Sequence, residues 1–221
     1  MRPVIVAILV PVLLLCAAPA IVADGDVPVT LLVEVVERTS FDDLAAQIAA
    51  GSTPLGAAPE DLARAFFAPS VTLRRQEREA LLLNLLRTTS ERSSRHDLCL
   101  VLFARIEDLD DWSLLALLFE QAAHAGAGSL AHALEAAERI LTVLEAPSSQ
   151  NAGYERAAIA VAEHARAVYG TTSAADASTS ALALAETLRS IARLSRSEAV
   201  VGAARASARE LLGLPASERD D

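Results

Sequence analysis

Alanine and leucine dominate this chain of 221 residues, and their abundance restricts the fold more than any motif does. The sequence contains 46 Ala and 34 Leu but only nine Gly, and aromatic residues make up 4% of it. Ala and Leu have high helix propensities, whereas strands favour β-branched and aromatic residues, which are less common here. We therefore predict an all-α protein.

Residues 1–23 have the composition of an export signal. One arginine near the start precedes an uncharged stretch at 4–23. Its first part, 4–15, has the length of the hydrophobic region of a signal peptide, and the small residues after it allow cleavage after Ala20 or Ala23. We expect this segment to direct the protein to the periplasm or out of the cell.

The same stretch has a second interpretation as a retained anchor. At 20 residues, 4–23 is close to the minimum length for a membrane span. The basic start and the acidic residues Asp24 and Asp26 place the rest of the chain outside the cytoplasm in either case. An inner-membrane anchor is therefore the alternative to a cleaved signal, and it would be the protein's only membrane contact.

After this segment, the sequence predicts a single all-helical domain over 24–213 and a disordered acidic tail over 214–221. Cys99 is the only cysteine beyond the signal segment, so no internal disulfide can form in the mature chain. It lies in an apolar run at 98–103, which is typical of a small buried side chain rather than a nucleophile.

Capping residues divide the domain into seven to nine helices. Ser40, Asp111 and Ser129 each stand where a side-chain oxygen can cap a helix. The β-branched segment 27–36 could be a strand, but a lone strand has nothing to pair with, so we predict a helix there. Short connections favour antiparallel hairpins, arranged as an irregular multi-helix bundle or as a short α-solenoid-like stack.

Two of these helices are predicted from proline and serine signals. One begins at Pro69-Ser70 and runs to about Thr88, because proline is favoured in the first turn of a helix. The other is opened by Ser94 and spans 98–107.

The two halves of the domain differ in side-chain volume. The denser core is expected over 70–146, because 152–213 offers mainly alanine. We predict that the helix after Asp111 forms the centre and packs against the two preceding helices. The predicted central residues are Trp112, Leu114, Leu115, Leu118 and Phe119, packed against Leu82, Leu85, Leu86, Leu98, Leu102 and Phe103.

One group of residues has spacings found in metal sites. Glu120 and His124 are four apart before the 126–128 turn, and His132 and Glu135 are three apart after it. Such spacings place side chains on one face of a helix, and imidazole with carboxylate can bind zinc or iron. The alternative is a solvated polar stripe, which we favour, so we assign no metal, cofactor or catalytic residue.

Positive charge is concentrated in one part of this acidic chain, whose net charge is −10. A solvated face is the simplest interpretation, and an anionic protein or lipid headgroup is the functional one. The acidic net charge and the lack of interleaved aromatic residues argue against nucleic acid. The cluster consists of Arg74, Arg75, Arg78, Arg87, Arg92 and Arg95.

No known catalytic motif occurs in the sequence. Lysine is absent, which excludes Schiff-base and P-loop chemistry, and neither Gly-x-Ser-x-Gly nor His-Glu-x-x-His is present. We therefore expect an exported, non-enzymatic interaction or scaffold module of the bacterial cell envelope that binds a protein partner whose identity the sequence does not reveal. The alternative is a metal-binding helical protein or enzyme that uses the Glu/His cluster around 126–128.

Overall fold

The computed structural model describes residues 27–146, 153–171 and 174–214. Within these ranges the chain forms ten α-helices and no strand, which confirms the all-α prediction and adds at least one helix to the expected number. The predicted signal segment 1–23 and the tail from 215 onward lie outside the described residues. The helices are α1 (Val29–Arg38), α2 (Phe41–Ala49), α3 (Pro59–Phe66), α4 (Arg75–Thr88), α5 (Arg92–Phe103), α6 (Trp112–Ala125), α7 (Leu130–Glu145), α8 (Tyr154–Tyr169), α9 (Ala174–Leu194) and α10 (Glu198–Leu211).

Several helix starts agree with the capping signals in the sequence. The side chains of Ser40, Asp111 and Ser129 each accept a hydrogen bond from a backbone N–H in the first turn of α2, α6 and α7. These bonds satisfy donors that have no partner within the helix. The segment predicted as a helix at 27–36 contains most of α1, so that prediction is confirmed.

The helix predicted from Pro69 begins later, at Arg75. Its start is fixed by Glu77, whose Oε2 accepts a 2.9 Å hydrogen bond from the backbone N–H of Arg74. This bond gives the backbone N–H of Arg74 a partner at the start of the helix. The helix therefore begins at Arg75 and not near Pro69. The residues between 69 and 74 form a turn and an extended connection instead.

The helix predicted over 98–107 begins earlier and ends earlier. It starts at Arg92, directly after Glu91. The carboxylate of Glu91 is favoured there because the N-terminal end of the helix dipole is positive. It ends at Phe103, and a separate 3₁₀ turn follows at Ile106–Asp108. Ser94 therefore lies inside the helix and does not cap it.

The substantial contacts between helices join near neighbours in the chain. Among the described elements, every pair of helices in substantial contact is separated by at most two positions. The most extensive contacts join α6 with α8, α9 with α10, α7 with α9, and α8 with α10. In the N-terminal part, α1 packs on α3, α2 on α4, α3 on α5, and both α4 and α5 on α6.

The buried side chains form one continuous cluster from Leu32 on α1 to Leu211 on α10. All of the predicted central residues are buried except Trp112, which is only partly buried, so that assignment is wrong. Trp112 is the first residue of α6, and its ring lies under the guanidinium of Arg139, 5.9 Å from the ring centroid. It therefore covers the edge of the core.

Helix α8 presents mainly alanine to the core. Short side chains let its backbone approach α6 and α10 closely, which is how little side-chain volume still gives a packed interface. The largest exception on this face is His164, which is fully buried. The buried residues of α8 are Ala157, Ala158, Ala160, Val161, Ala162, His164 and Ala165.

Candidate functional site

The turn between α6 and α7 is built on two glycines with positive φ. Gly126 has φ +74° and ends α6, and the backbone N–H groups of Gly126 and Ala127 both donate to the carbonyl of Ala122. Gly128 has φ +91° and directly precedes Ser129, which caps α7. Glycine adopts this backbone region without strain. The turn therefore places the start of α7 close to α8.

The two predicted site residues before the turn are held by protein groups. Both carboxylate oxygens of Glu120 accept hydrogen bonds from Arg156 on α8, at 2.8 and 2.7 Å. This pairing with Glu120 raises the pKa of Arg156. His124 is exposed, and its Nδ1 donates to the backbone carbonyl of Glu120 over 2.7 Å. The contacts of Arg156 join α6 to α8 and engage both carboxylate oxygens of Glu120.

The two predicted residues after the turn lie in different surroundings. The ring of His132 stacks on Phe103, with centroids 4.5 Å apart and planes 2° from parallel. Its Nδ1 lies 3.3 Å from the hydroxyl of Ser129, and partial burial lowers its pKa. Partial burial, followed by the nearby Glu107 carboxylate, raises the pKa of Glu135.

The four predicted residues do not converge. Within 27–146, 153–171 and 174–214, no three side chains of His, Cys, Asp or Glu are grouped so that they could hold a metal ion. The spacing within each helix predicted that the paired side chains share a helix face. Contacts with other helices hold one member of each pair, since Arg156 from α8 binds Glu120 and the ring of Phe103 from α5 stacks on His132. Contacts from other helices thus decide where these side chains lie.

The chemically unusual residue at this turn is His164 on α8, which the sequence analysis did not single out. Its side chain is fully buried, and neither ring nitrogen has a hydrogen-bond partner among the described residues. The ring lies edge-on to Phe119 at 5.1 Å and tilted to Phe103 at 5.8 Å. Burial, with a smaller contribution from His132, lowers the pKa of His164 to about 4. The imidazole is therefore neutral at pH 7.

Gly128 lets the turn close over this ring. A Cβ atom at Gly128 would lie 2.7 Å from Cε2 of Phe103 and 2.9 Å from Nε2 of His164, closer than real Cβ contacts. Any residue with a Cβ atom at position 128 would therefore clash with these rings, so the close approach of the turn requires glycine. We call Phe103, Phe119, Gly128, His132 and His164 the aromatic–histidine cluster.

A sequence signal for His164 did exist. It lies three residues after Val161 and one turn before Val168, on the face where α8 buries its alanines. Residues three or four apart share a helix face, so the periodicity of small residues marked this position as interior.

No family model, curated protein or solved structure matches this chain. The chemistry of the site therefore has to be judged from its own groups. In the described part of the chain, no helix combines the length and the apolar character needed to cross a bilayer.

The contacts of the aromatic–histidine cluster are ring-packing contacts. His164 has no hydrogen-bonded acid or nucleophile beside it among the described residues. Cys99 is fully buried, and burial raises the pKa of its thiol to about 12, so it stays protonated and weakly nucleophilic at neutral pH. This agrees with the structural role predicted for Cys99.

Part of the predicted arginine cluster is used to hold the connection before α6. Arg75 donates to the carbonyl of Asp108 from two guanidinium nitrogens and forms an ion pair with Asp110. The buried carboxylate of Glu79 accepts a 2.6 Å hydrogen bond from the backbone N–H of Asp110. From the other side, Arg139 donates to the carbonyl of Ile106 at 2.8 Å.

Two other members of that cluster also have structural contacts. The Arg78 guanidinium lies over the ring of Phe67, 5.0 Å from its centroid, and Arg95 donates to the carbonyl of Thr89 at 2.9 and 3.2 Å. Three of the six arginines in the cluster, Arg75, Arg78 and Arg95, thus make contacts that stabilise the fold. The acidic residues between α5 and α6 are likewise a capped turn, with Asp111 as the helix cap.

Proposed function

We propose that this protein is an exported, non-enzymatic helical scaffold of the bacterial cell envelope, and that its helices form a short α-solenoid of stacked hairpins which binds a protein partner. The observation that carries the proposal is the order of helix contacts. Every substantial contact among the described helices joins elements at most two positions apart. Contacts limited to near neighbours are characteristic of solenoids, whose extended surfaces serve as binding platforms.

The contacts of the polar side chains support a function in which the outer surface binds a partner. Glu120, Glu79 and Arg139 hold helices and connections together, while the neutral imidazole of His164 is enclosed by aromatic rings. Each of these groups contacts other protein groups in the described part of the chain. Recognition by the outer faces of the helices therefore accounts for the structure better than a buried active site does.

The proposal of export depends on the composition of residues 1–23. An apolar run after a basic start, followed by small residues, is recognised by the export machinery. A scaffold without internal disulfides can fold after export, because a helical core of this size needs no covalent cross-link.

The solenoid part of the proposal is tested by small-angle X-ray scattering on the purified mature chain. A compact domain of about 200 residues has a radius of gyration of about 16 Å. A stack of hairpins should exceed this value and give an asymmetric distance distribution with a tail. A radius at or below the compact value would contradict the stack.

Export and partner binding are tested together in a bacterial host. The mature protein should be recovered outside the cytoplasm with its first residue at 21 or 24, as read by mass spectrometry. Photo-crosslinking residues placed at the exposed Leu31, Leu100 and Leu182 should give discrete adducts from a subset of positions. An uncleaved cytoplasmic protein, or identical diffuse products from every position, would contradict the proposal.

A further inference from the structure

The C-terminal helices form a groove lined by three arginines and one alanine. Arg189 and Arg193 lie one turn apart on α9, and Arg205 faces them from α10, with Ala192 at the base. The groove has a volume of about 250 Å³. No carboxylate is among the described residues that line it. We call Arg189, Arg193 and Arg205 the arginine groove.

The three guanidinium groups of the arginine groove differ in their ion pairing from another arginine on this surface. Among the side chains that the structure describes, none forms an ion pair or a hydrogen bond with Arg189, Arg193 or Arg205. In the neighbouring groove, which Arg205 also lines, an arginine is paired with a carboxylate. There Glu210 accepts a 2.7 Å hydrogen bond from Nε of Arg166. Within the described residues, one arginine on this surface is thus paired with a carboxylate, whereas three others face a shared space.

Helix electrostatics explains only part of this arrangement. Arg193 lies in the last turn of α9, where a cation is favoured by the negative end of the helix dipole. That effect does not reach Arg205, which lies in the middle of α10. Three like charges around a small volume repel one another, and this repulsion is relieved when an anion binds between them.

We infer that the arginine groove binds a phosphate-bearing anion, either as a soluble phosphate ester or as the headgroup of an anionic phospholipid. Guanidinium groups bind phosphate oxygens in a bidentate manner, and a groove of this size accommodates a phosphate or diphosphate group. The chain carries a net charge of −10, so its overall field repels anions. Binding must therefore arise locally, from the groove itself, and it does not depend on the scaffold proposal.

The test uses the full mature chain with two probes. Sodium pyrophosphate in isothermal titration calorimetry represents a soluble ester, and flotation with phosphatidylglycerol-containing vesicles, against pure phosphatidylcholine vesicles, represents a headgroup. Saturable binding to pyrophosphate alone identifies a soluble ligand, and binding to the anionic vesicles alone identifies a headgroup. Either result supports the inference, and binding to neither probe overturns it.

Substitutions distinguish binding in the arginine groove from a general effect of the protein's net charge. Arg193→Gln and Arg205→Gln should each weaken binding about tenfold or more, because each removes a charged donor pair. Arg205→Lys keeps the charge but loses the planar fork, so its loss should be smaller. Arg87→Gln, at an exposed site on α4, removes the same charge far along the chain and should change nothing. Equal weakening by Arg87→Gln would overturn the inference, and unchanged melting by circular dichroism shows that each variant is folded.

Discussion

The buried His164 should make the stability of this protein depend on pH in a predictable direction. Its folded-state pKa is about 4, against 6.5 for an ordinary histidine. Above pH 6.5 the imidazole is neutral in both states and adds no pH dependence. Between pH 6.5 and 4 the unfolded chain gains a proton that the folded chain excludes, so the free energy of unfolding decreases as the pH falls.

The size of this effect follows from the two pKa values. One pKa unit corresponds to about 1.4 kcal/mol, so His164 should remove about 3 kcal/mol of stability between pH 6.5 and pH 4. That is a large share of the 5–15 kcal/mol that is typical of folded domains. Below pH 4 both states carry the proton and the loss levels off.

The variant His164→Leu isolates this contribution. Leucine is similar in volume and removes two ring nitrogens that have no partner among the described residues. At pH 7.5 we therefore expect it to be about as stable as the native chain or more so. As the pH falls to 4, the variant should gain about 3 kcal/mol relative to the native chain, since it has no imidazole to protonate.

Urea unfolding followed by circular dichroism at several pH values gives the required free energies. The raised pKa values of Glu60 and Glu135 act in the opposite direction, and the lowered pKa of His132 acts in the same direction. All three remain in both proteins, so the difference between the curves reports His164. His124→Gln, at an exposed ring, serves as the control. If His164→Leu and the native chain lose stability in parallel, the reasoning is refuted.

Three further predictions concern packing, and each is checked by a simple measurement. Gly128→Ala should destabilise clearly more than Gly126→Ala in urea unfolding, because both have positive φ but a Cβ clashes with neighbours only at Gly128. A similar loss at both would contradict the close approach. Leu118→Ala should cost about 2–5 kcal/mol in the free energy of unfolding. Leu188→Ala should cost less, because α10, which packs on α9, buries mostly small side chains; equal losses would argue against a thinner C-terminal interface. Trp112 should emit at an intermediate fluorescence wavelength, because it is half-buried, whereas emission typical of a dry interior would contradict its position at the edge of the core.

The helices were predictable because their signals are local. Ser40, Asp111 and Ser129 cap helices through backbone groups two or three residues away, so the sequence contains both partners of each contact. The predicted starts of α4 and α5 were wrong because several residues near each start can begin a helix. Glu77 fixes the first of these, although Pro69 and Ser70 offered a stronger apparent start.

The candidate site was less predictable because its contacts join distant parts of the chain. The spacing of Glu120 with His124 and of His132 with Glu135 was visible in the sequence, but the contacts that Glu120 and His132 make with other helices were not. Arg156 lies 36 residues after Glu120 and binds both of its carboxylate oxygens. His164 was overlooked because a single polar residue in an alanine-rich helix gives no motif, and its burial depends on how Phe103 and Phe119 meet α8.

The restriction of helix contacts to elements at most two positions apart has a consequence for how the chain folds. Contacts between segments close in sequence give a low contact order, and chains with low contact order fold quickly because each contact closes only a short loop. Helix α3 can dock on α1 without α6, and each later helix then finds its partner already in place. The protein can therefore assemble stepwise along the chain from its N-terminus, without waiting for its last helix.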